Sequence, residues 1–296
     1  MRSVPTVDAI ELLWRVRGGS QAHLIHASDG FWYVVKFQNN PQHHRILVNE
    51  LLASELLEYL GVAAPQHAIV HFSPAFMAAN PEACIQTRHG KIAVQPGPHF
   101  GSRYPGDPRV VNVCDSLTDR ALGSVANLKQ FLGALVFDRW VCNADARQAI
   151  FFNADISGGT GPNRRLTAQM IDHGLALNGE HWTLIDASLL GVYPRHAVYA
   201  QARSLRDFEP WMSAVVSCPT AVYDHALQVL PAEWLRKDEP GELDHLFTLL
   251  QLRQKRIEDL VADCFSCLAV PRRAKLSQPA PLWATSIVAC SGSVHR

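Results

Sequence analysis

The sequence predicts an α+β fold of two lobes: a small β-rich amino-terminal lobe with one prominent helix, and a larger, mainly helical carboxy-terminal lobe. Three observations support this prediction. Strand-forming segments surround one helical segment in the first third of the chain. A stretch dense in proline and glycine follows at residues 95–108, and helical patterns dominate the sequence after it.

The composition is that of an ordinary globular protein. Of the 296 residues, 48% are hydrophobic and 18% are charged, which excludes a disordered or collagen-like chain. Lysine and arginine total 27, as do aspartate and glutamate, so the formal net charge is zero. We therefore expect neither direct nucleic-acid binding nor a membrane partner, because both usually need a basic surface. The apolar runs are also too short to span a bilayer, and the first residues lack a signal-peptide pattern.

The cysteines point to a reducing compartment. There are seven of them, an odd number scattered along a long chain, which predicts free thiols in a cytoplasmic protein. Cys264 and Cys267 have the spacing of a metal-binding pair. Without a second pair of cysteines or histidines they cannot complete a tetrahedral zinc site.

The first third of the chain contains the segments of the predicted amino-terminal lobe. Five of them have the composition of strands: residues 11–16, 22–26, 31–37, 62–72 and 84–94. Ser28, Asp29 and Gly30 predict a hairpin turn, because aspartate and glycine accept the positive φ of a tight turn. Apolar residues recur at helical spacing over residues 43–60, and Gly61 is placed to end that helix.

Residues 95–108 predict an irregular connector, because so many prolines and glycines are not expected in a regular element. The predicted domains are residues 1–95 for the amino-terminal lobe, 96–108 for the hinge or connector, 109–270 for the carboxy-terminal lobe and 271–296 for a poorly ordered tail. The carboxy-terminal lobe has predicted helices at residues 127–142, 221–230 and 243–263, and predicted strands at 149–152 and 166–171. The two strands flank a glycine-rich turn at residues 158–161.

A turn, a lysine and a helix carboxylate form the first candidate constellation. The turn consists of Gly18, Gly19 and Ser20. Glycines allow backbone amides to approach phosphates closely, and Lys36, at the end of a following strand, is placed to reach nucleotide phosphates. Three glutamates lie on the next helix and project in different directions: Glu50, Glu55 and Glu58. The residues alone leave open which carboxylate would hold Lys36.

Two aspartates on two loops form the second constellation. Asp145 follows the first helix of the carboxy-terminal lobe, and Asp172 ends an apolar strand and precedes a glycine. One carboxylate can orient a hydroxyl nucleophile while the other binds Mg²⁺ on a phosphate. Aspartate is also a common turn residue, but the order of both aspartates after Lys36 and a helix carboxylate favours the functional interpretation.

This order of motifs resembles the HipA-like kinases, bacterial relatives of the eukaryotic-type protein kinase fold. The resemblance covers residues 15–180 and rests on five motifs: Gly18-Gly19-Ser20, Val34-Val35-Lys36-Phe37, Asn49-Glu50, Asn143-Ala144-Asp145 and Ile171-Asp172-His173-Gly174. It implies a protein-kinase-like fold with Lys36 on the α- and β-phosphates of ATP and Glu50 as its ion-pair partner. It further implies Asp145 as catalytic base, Asp172 as Mg²⁺ ligand, and an adenine-binding hinge near residues 95–101.

The sequence departs from that family at one metal-binding position. The family pattern usually continues to an asparagine five residues after the catalytic aspartate, where this chain has Ile150. The nearest amide is Gln148, whose side-chain oxygen is an acceptable ligand for Mg²⁺. Either Gln148 takes over as a metal ligand in a shortened loop, or only the metal on Asp172 remains.

The sequence thus predicts an ATP- and Mg²⁺-dependent phosphotransferase, with a protein serine or threonine kinase as the first hypothesis. Two alternatives stay open. Ile150 favours a pseudokinase that binds nucleotide or a partner without turnover. A small-molecule kinase is the second alternative, because a fold does not determine the acceptor. The expected partner is accordingly a protein or a small molecule that carries a hydroxyl group.

Overall fold

The computed structural model describes residues 3–16, 18–155 and 164–269. Strands dominate the first part of this chain and helices the rest, so the predicted mixture of α and β structure is confirmed. None of the helices in the described ranges combines the length and the apolar character that a bilayer crossing requires. The glycine-rich turn at residues 158–161 and the tail from residue 271 lie outside the described residues.

Five strands close into a small barrel in the order β1, β2, β3, β7, β4. They are β1 Thr6–Arg15, β2 His23–Ala27, β3 Trp32–Lys36, β4 His67–Phe72 and β7 Gly97–Arg103. Successive side chains of a strand point to opposite faces, so Tyr33 and Val35 join the cluster that fills the barrel. Lys36 is left on the outer face of β3. The closure into a barrel was not predicted from the sequence.

Strand β7 shows that the prediction of an irregular connector at residues 95–108 is wrong. This strand pairs with β3 on one side and with β4 on the other. A Cβ atom at Gly101 would lie 2.6 Å from Val70 Cγ2, so glycine is required by the close approach of side chains inside the barrel. Gly97 has a φ of +127°, which also favours glycine. Only residues 95, 96 and 104–108 of the predicted connector lie outside a strand.

Helix α1, Ile46–Leu60, packs between the barrel and the helices that follow in the chain. It begins three residues later than predicted and ends as expected at Gly61, whose φ of +64° is left-handed. Asn49, Glu50 and Glu55 are as deeply buried as the apolar residues of this helix. Buried carboxylates need partners inside the protein, and these partners determine what the helix holds in place.

The remaining elements in the described residues are two hairpins, seven α-helices and four short 3-10 helices. The hairpins are β5 Cys84–Thr87 with β6 Gly90–Ala93, and β8 Gln148–Asp155 with β9 Arg164–Ile171. The α-helices are α2 Pro74–Ala79, α3 Asp119–Leu122, α4 Gln130–Val141, α5 Trp211–Val216, α6 Thr220–Gln228, α7 Glu239–Gln254 and α8 Ile257–Ala269. The prediction of one helix over residues 243–263 is wrong, because α7 and α8 are separate, although no glycine or proline marks the break.

Packing around α4 gives a test of the helical core. A Cβ atom at Gly133 would lie 2.5 Å from Trp211 Cε2. We expect Gly133→Ala to lower the free energy of unfolding by about 1–3 kcal/mol, because overpacking outweighs the helix propensity of alanine. Gly241→Ala in α7 is the matched control: its Cβ would meet no atom within 4 Å, so we expect no loss and a gain of up to about 1 kcal/mol. Urea unfolding followed by circular dichroism measures both, and equal effects would contradict this packing.

Candidate active site

Lys36 lies at the centre of the site, between two carboxylates. Its Nζ donates a short hydrogen bond to Glu50 Oε1 and a second one, of 2.6 Å, to Asp172 Oδ1. The residue is only 8% exposed. One ammonium thus joins β3, α1 and the loop that follows β9. Of the three glutamates on α1, Glu50 is the one that contacts Lys36, whereas Glu55 accepts a bond of 2.8 Å from His67 Nε2.

Burial and charge act against each other on the three groups. Burial alone would lower the pKa of Lys36, but the carboxylates of Asp172 and Glu50 raise it above the usual value. Burial raises the pKa of Glu50, and the attraction of Lys36 offsets this only in part. For Asp172, burial is outweighed by Lys36, Arg147 and Gln148, so its pKa is lowered. We therefore assign Lys36 and Asp172 as charged at neutral pH.

Asp172 is held by its backbone as well as by Lys36. Its φ of +58° turns the chain sharply at the end of β9. The next amide, His173 N–H, donates to Glu50 Oε1 at 2.9 Å. Arg147 Nη1 donates to the carbonyl of Ile171 at 3.0 Å. The backbone on both sides of Asp172 is therefore held in place, and this backbone positions the carboxylate toward Lys36.

Asp145 lies on the loop between α4 and β8, half-buried. Cys142 ends the helix with a left-handed φ of +53°. Asn143 then bridges the turn: its Nδ2 donates to Asp138 Oδ1 at 3.0 Å, and its Oδ1 accepts from Asp145 N–H at 3.2 Å. This arrangement fixes the backbone that carries Asp145 and leaves the carboxylate at the surface of the site.

A buried ion pair supports both loops. Arg147 Nε donates to Asp138 Oδ2 at 2.9 Å, a second bond joins Nη2 to Oδ1, and both side chains are 1% exposed. Arg147 Nη1 also bonds to His173 Nδ1 at 2.9 Å. A guanidinium can only donate, so His173 Nδ1 is an acceptor, and burial lowers the pKa of this imidazole well below its usual value. The sequence analysis missed Asp138, although a charged residue inside an apolar helix was a usable signal.

Asn49 also holds part of the site in place, although the sequence analysis listed it only as part of a motif and gave it no role. Its Nδ2 lies within hydrogen-bond distance of three carbonyls in the segment after Asp172, and its Oδ1 accepts from Trp182 Nε1 at 2.8 Å. The three carbonyls belong to Gly174, Ala176 and Gly179, at 2.9, 3.0 and 2.8 Å. Helix α1 therefore holds Lys36 through Glu50 and the segment after Asp172 through Asn49.

Gln148, rather than Ile150, lies between the two aspartates. Gln148 Nε2 is 3.4 Å from Asp145 Oδ2, and the same side chain lowers the pKa of Asp172 by hydrogen bonding. Ile150 lies two residues further along β8, paired with Gln169. Hydrogen bonds thus join Glu50, Lys36 and Asp172, and Gln148 contacts Asp145 on the neighbouring loop.

The turn of Gly18, Gly19 and Ser20 connects β1 to β2, the strand beside β3. Gly18 has a φ of +138°, which few other residues adopt, and Gln21 N–H closes the turn on the Gly18 carbonyl at 3.2 Å. In register, His23 at the start of β2 faces Val35, next to Lys36. The turn therefore lies at the same end of the sheet as Lys36.

The residues of the site suit a hard cation with a phosphate. Asp145, Gln148 and Asp172 offer oxygen ligands, which Mg²⁺ prefers, and Lys36 is a cation for phosphate oxygens. In the part of the chain that the structure describes, no three histidine, cysteine or acidic side chains form a metal cage. Mg²⁺ usually keeps several water or phosphate ligands, so a small set of protein oxygens is sufficient.

Three solved structures resemble this fold at a distance. The Golgi casein kinase with Mn/ADP bound is 13% identical, with 90% of this chain and 74% of that chain covered and a TM-score of 0.47. The hydra Fam20 structure with sugar is 12% identical, with coverage of 89% and 86% and a TM-score of 0.49. HipA of Shewanella oneidensis MR-1, in its complex with HipB and operator DNA, is 17% identical, with coverage of 78% and 60% and a TM-score of 0.43.

The sequence matches a family model but no individual curated protein. No curated protein sequence matches the chain. The family model described as HipA-like kinase matches residues 10–264, which is most of the sequence and includes every candidate residue of the site. The resemblance inferred from the motifs is thereby confirmed, and this chain belongs to the HipA-like kinase family.

Proposed function

We propose that this protein is an ATP- and Mg²⁺-dependent phosphotransferase that acts on serine or threonine hydroxyls of a protein. The observation that carries the proposal is the buried Lys36, held by Glu50 and facing Asp172. We further propose that the barrel with α1 and the helical remainder of the chain act as two lobes around this site. The hinge between them would then begin after β7, at residues 104–108.

The charges of the site support binding of a cation together with phosphates. Glu50, Asp172 and Asp145 place three carboxylates against the one ammonium of Lys36. Arg147 does not change this balance, because Asp138 pairs with it. A site with excess negative charge attracts a divalent cation, and Lys36 then remains to bind the α- and β-phosphates of ATP.

The proposal assigns each residue of the site a role that its position supports. Lys36, positioned by Glu50, neutralises charge on the phosphates. Asp172 and Gln148 would hold Mg²⁺, which offsets the charge that develops on the transferred phosphoryl group. Asp145, half-buried on the loop between α4 and β8, orients the acceptor hydroxyl and accepts its proton. The turn of Gly18, Gly19 and Ser20 offers backbone amides to the phosphates.

A nucleotide-binding pseudokinase is the second candidate function. The observation that favours it is Ile150 at the position of the family's second metal-binding amide. The acceptor of a kinase would be a serine or threonine of a protein. A small molecule with a hydroxyl group is the alternative acceptor. Transfer of the γ-phosphoryl group from radiolabelled MgATP, to the protein itself or to a generic protein substrate, separates a kinase from a pseudokinase. Failure to bind MgATP would contradict both.

The two aspartates provide a test of the assigned roles. We expect Asp172→Ala to weaken Mg²⁺-dependent nucleotide binding, because it removes a metal ligand. Asp145→Ala should bind nucleotide as the wild type does and lose transfer, because it removes only the group that meets the acceptor. Isothermal titration with a non-hydrolysable ATP analogue, with and without Mg²⁺, measures both variants. Loss of binding in Asp145→Ala alone would reverse the assignment.

Lys36 gives a test that needs no nucleotide. We expect Lys36→Met to lower the free energy of unfolding by about 3–5 kcal/mol, because it leaves buried carboxylates without their cation. Burial already raises the pKa of Glu50, and loss of Lys36 raises it further. Since the folded variant then binds a proton more tightly than the unfolded chain, its stability should increase as the pH falls from about 8 to 5. Urea unfolding at several pH values measures this.

A control for Lys36→Met is Lys91→Met, the same change at an exposed lysine of β6. We expect it to leave the stability within about 0.5 kcal/mol of the wild type at every pH. If Lys36→Met were as stable as this control, Lys36 would not be the buried counter-ion of the two carboxylates.

Gln148 tests the second metal position. If its side-chain oxygen is a ligand, Gln148→Ala should reduce turnover at least about tenfold, or about 1.4 kcal/mol of transition-state stabilisation. Asn153→Ala, at an exposed amide on the same strand, is the matched control and should keep wild-type turnover. Single-turnover kinetics at saturating Mg²⁺ measure the difference. Unchanged kinetics in Gln148→Ala would show that the metal site depends on Asp172 without this amide.

A further inference from the structure

The turn of Gly18, Gly19 and Ser20 has an unusual tether, which we name the amide clamp: the side chain of Gln21 together with the backbone of Gln86. Gln21 Nε2 donates to the Gln86 carbonyl at 2.8 Å, and Gln86 N–H donates to Gln21 Oε1 at 2.7 Å. The side-chain amide thus pairs with the hairpin β5–β6 as the backbone of a further strand would. Both polar groups of Gln21 are satisfied by one residue 65 positions away.

The backbone of Gln21 shows that its position is specified. Its φ of +50° is left-handed, which is uncommon for a residue other than glycine. Its N–H closes the turn on the Gly18 carbonyl at 3.2 Å. Gln21 therefore closes the turn with its backbone and reaches the hairpin with its side chain. The position of the hairpin and the position of the turn are linked through this one residue.

The contact borders an open cavity. A cavity of about 540 Å³ lies between the turn and the hairpin, lined by Arg15, Val16, Gly18, Gln21 and Gln86. Ile85 of the hairpin packs in the apolar cluster of the barrel, and the two hydrogen bonds of Gln21 join the turn to this anchored hairpin. Removing the side chain of Gln21 would therefore free the turn on this side while the hairpin stays packed through Ile85.

A second amide holds the turn from the segment that follows β3 and Lys36. Asn40, four residues after Lys36, is buried, and its Nδ2 donates to the Ser20 carbonyl at 3.1 Å. Its neighbour Asn39 donates from Nδ2 to the Ala93 carbonyl, at the end of the same hairpin, at 3.1 Å. The turn, the hairpin and the chain after Lys36 are thus joined in one hydrogen-bonded ring.

We infer that Gln21 is a positioning residue, which presents the backbone amides of the turn to nucleotide phosphates by pairing with the hairpin β5–β6. The inference rests on the proposed function, since it assumes that the turn binds phosphates. A turn ordered before the nucleotide arrives loses less conformational freedom on binding, so the clamp increases nucleotide affinity. It makes no contact with the acceptor, so it leaves the phosphoryl-transfer rate at saturating nucleotide unchanged.

The test compares substitutions that separate side chain from backbone at the two ends of the clamp. Gln21→Ala removes both bonds, whereas Gln86→Ala keeps both because that residue contributes only its backbone. Gln86→Pro removes the N–H donor at a position where that N–H points away from β6. We expect Gln21→Ala to raise the Kd for a non-hydrolysable ATP analogue with Mg²⁺ by about tenfold, Gln86→Pro to raise it by less, and Gln86→Ala to match the wild type.

Two further readouts distinguish positioning from a general structural defect. Gln21→Ala should raise KM for ATP while kcat stays near the wild-type value, and its melting temperature without nucleotide should stay within a few degrees of the wild type. Amide hydrogen exchange at residues 18–22 should be faster in Gln21→Ala and unchanged in Gln86→Ala. This second readout requires neither activity nor nucleotide.

The outcomes separate this inference from the function on which it rests. If the wild type binds the ATP analogue and Gln21→Ala binds it equally well, the inference is overturned and the proposed function stands. Equal weakening by Gln86→Ala and Gln21→Ala also overturns it, because the clamp uses only the backbone of Gln86. If the wild type does not bind the analogue, the proposed function fails and the inference fails with it.

Discussion

The site depends on one buried ammonium shared by two carboxylates. Lys36 comes from a barrel strand, Glu50 from a helix and Asp172 from a turn far along the chain, and the buried Lys36 and Glu50 each need the other as counter-ion. Removing one partner of a buried ion pair costs about 3–5 kcal/mol, a large share of the stability of a typical protein. The relative positions of β3, α1 and the end of β9 are therefore set by the same bonds that place the chemistry.

The second buried pair extends this constraint to the loop of Asp145. Arg147 binds Asp138 on α4, the carbonyl before Asp172 and the imidazole after it, so the two aspartate-bearing loops share one support. Asn49 then ties α1 to the segment that follows. These groups are buried with few or no solvent contacts, so small displacements are opposed by the cost of unpaired polar atoms. A rigid arrangement of loops results from polar pairing rather than from apolar packing alone.

The sequence was sufficient to place in one site the residues that can be recognised from their local element and their order in the chain. Lys36, Asp145 and Asp172 are of this kind. The choice of Glu50 over Glu55 needed the resemblance to a family, because α1 is buried on all sides and its apolar pattern does not indicate which face meets β3. The strand β7 was missed because glycine and proline there serve packing against β3 and β4, which a local pattern cannot show. The contact of Gln21 with Gln86 joins positions that no local rule connects.

The two bonds of Lys36 differ in a way that suits a site that must open to a ligand. The side chain of Glu50 is 1% exposed, while that of Asp172 is 29% exposed. The bond to Glu50 therefore lies in a low-dielectric interior, where breaking it would leave a charge without water. Solvent can take over the oxygens of Asp172 as Lys36 moves away, so that separation costs less. In the proposed function the carboxylate that would exchange Lys36 for a metal is thus the more exposed one, and the carboxylate that keeps the lysine in place is the buried one.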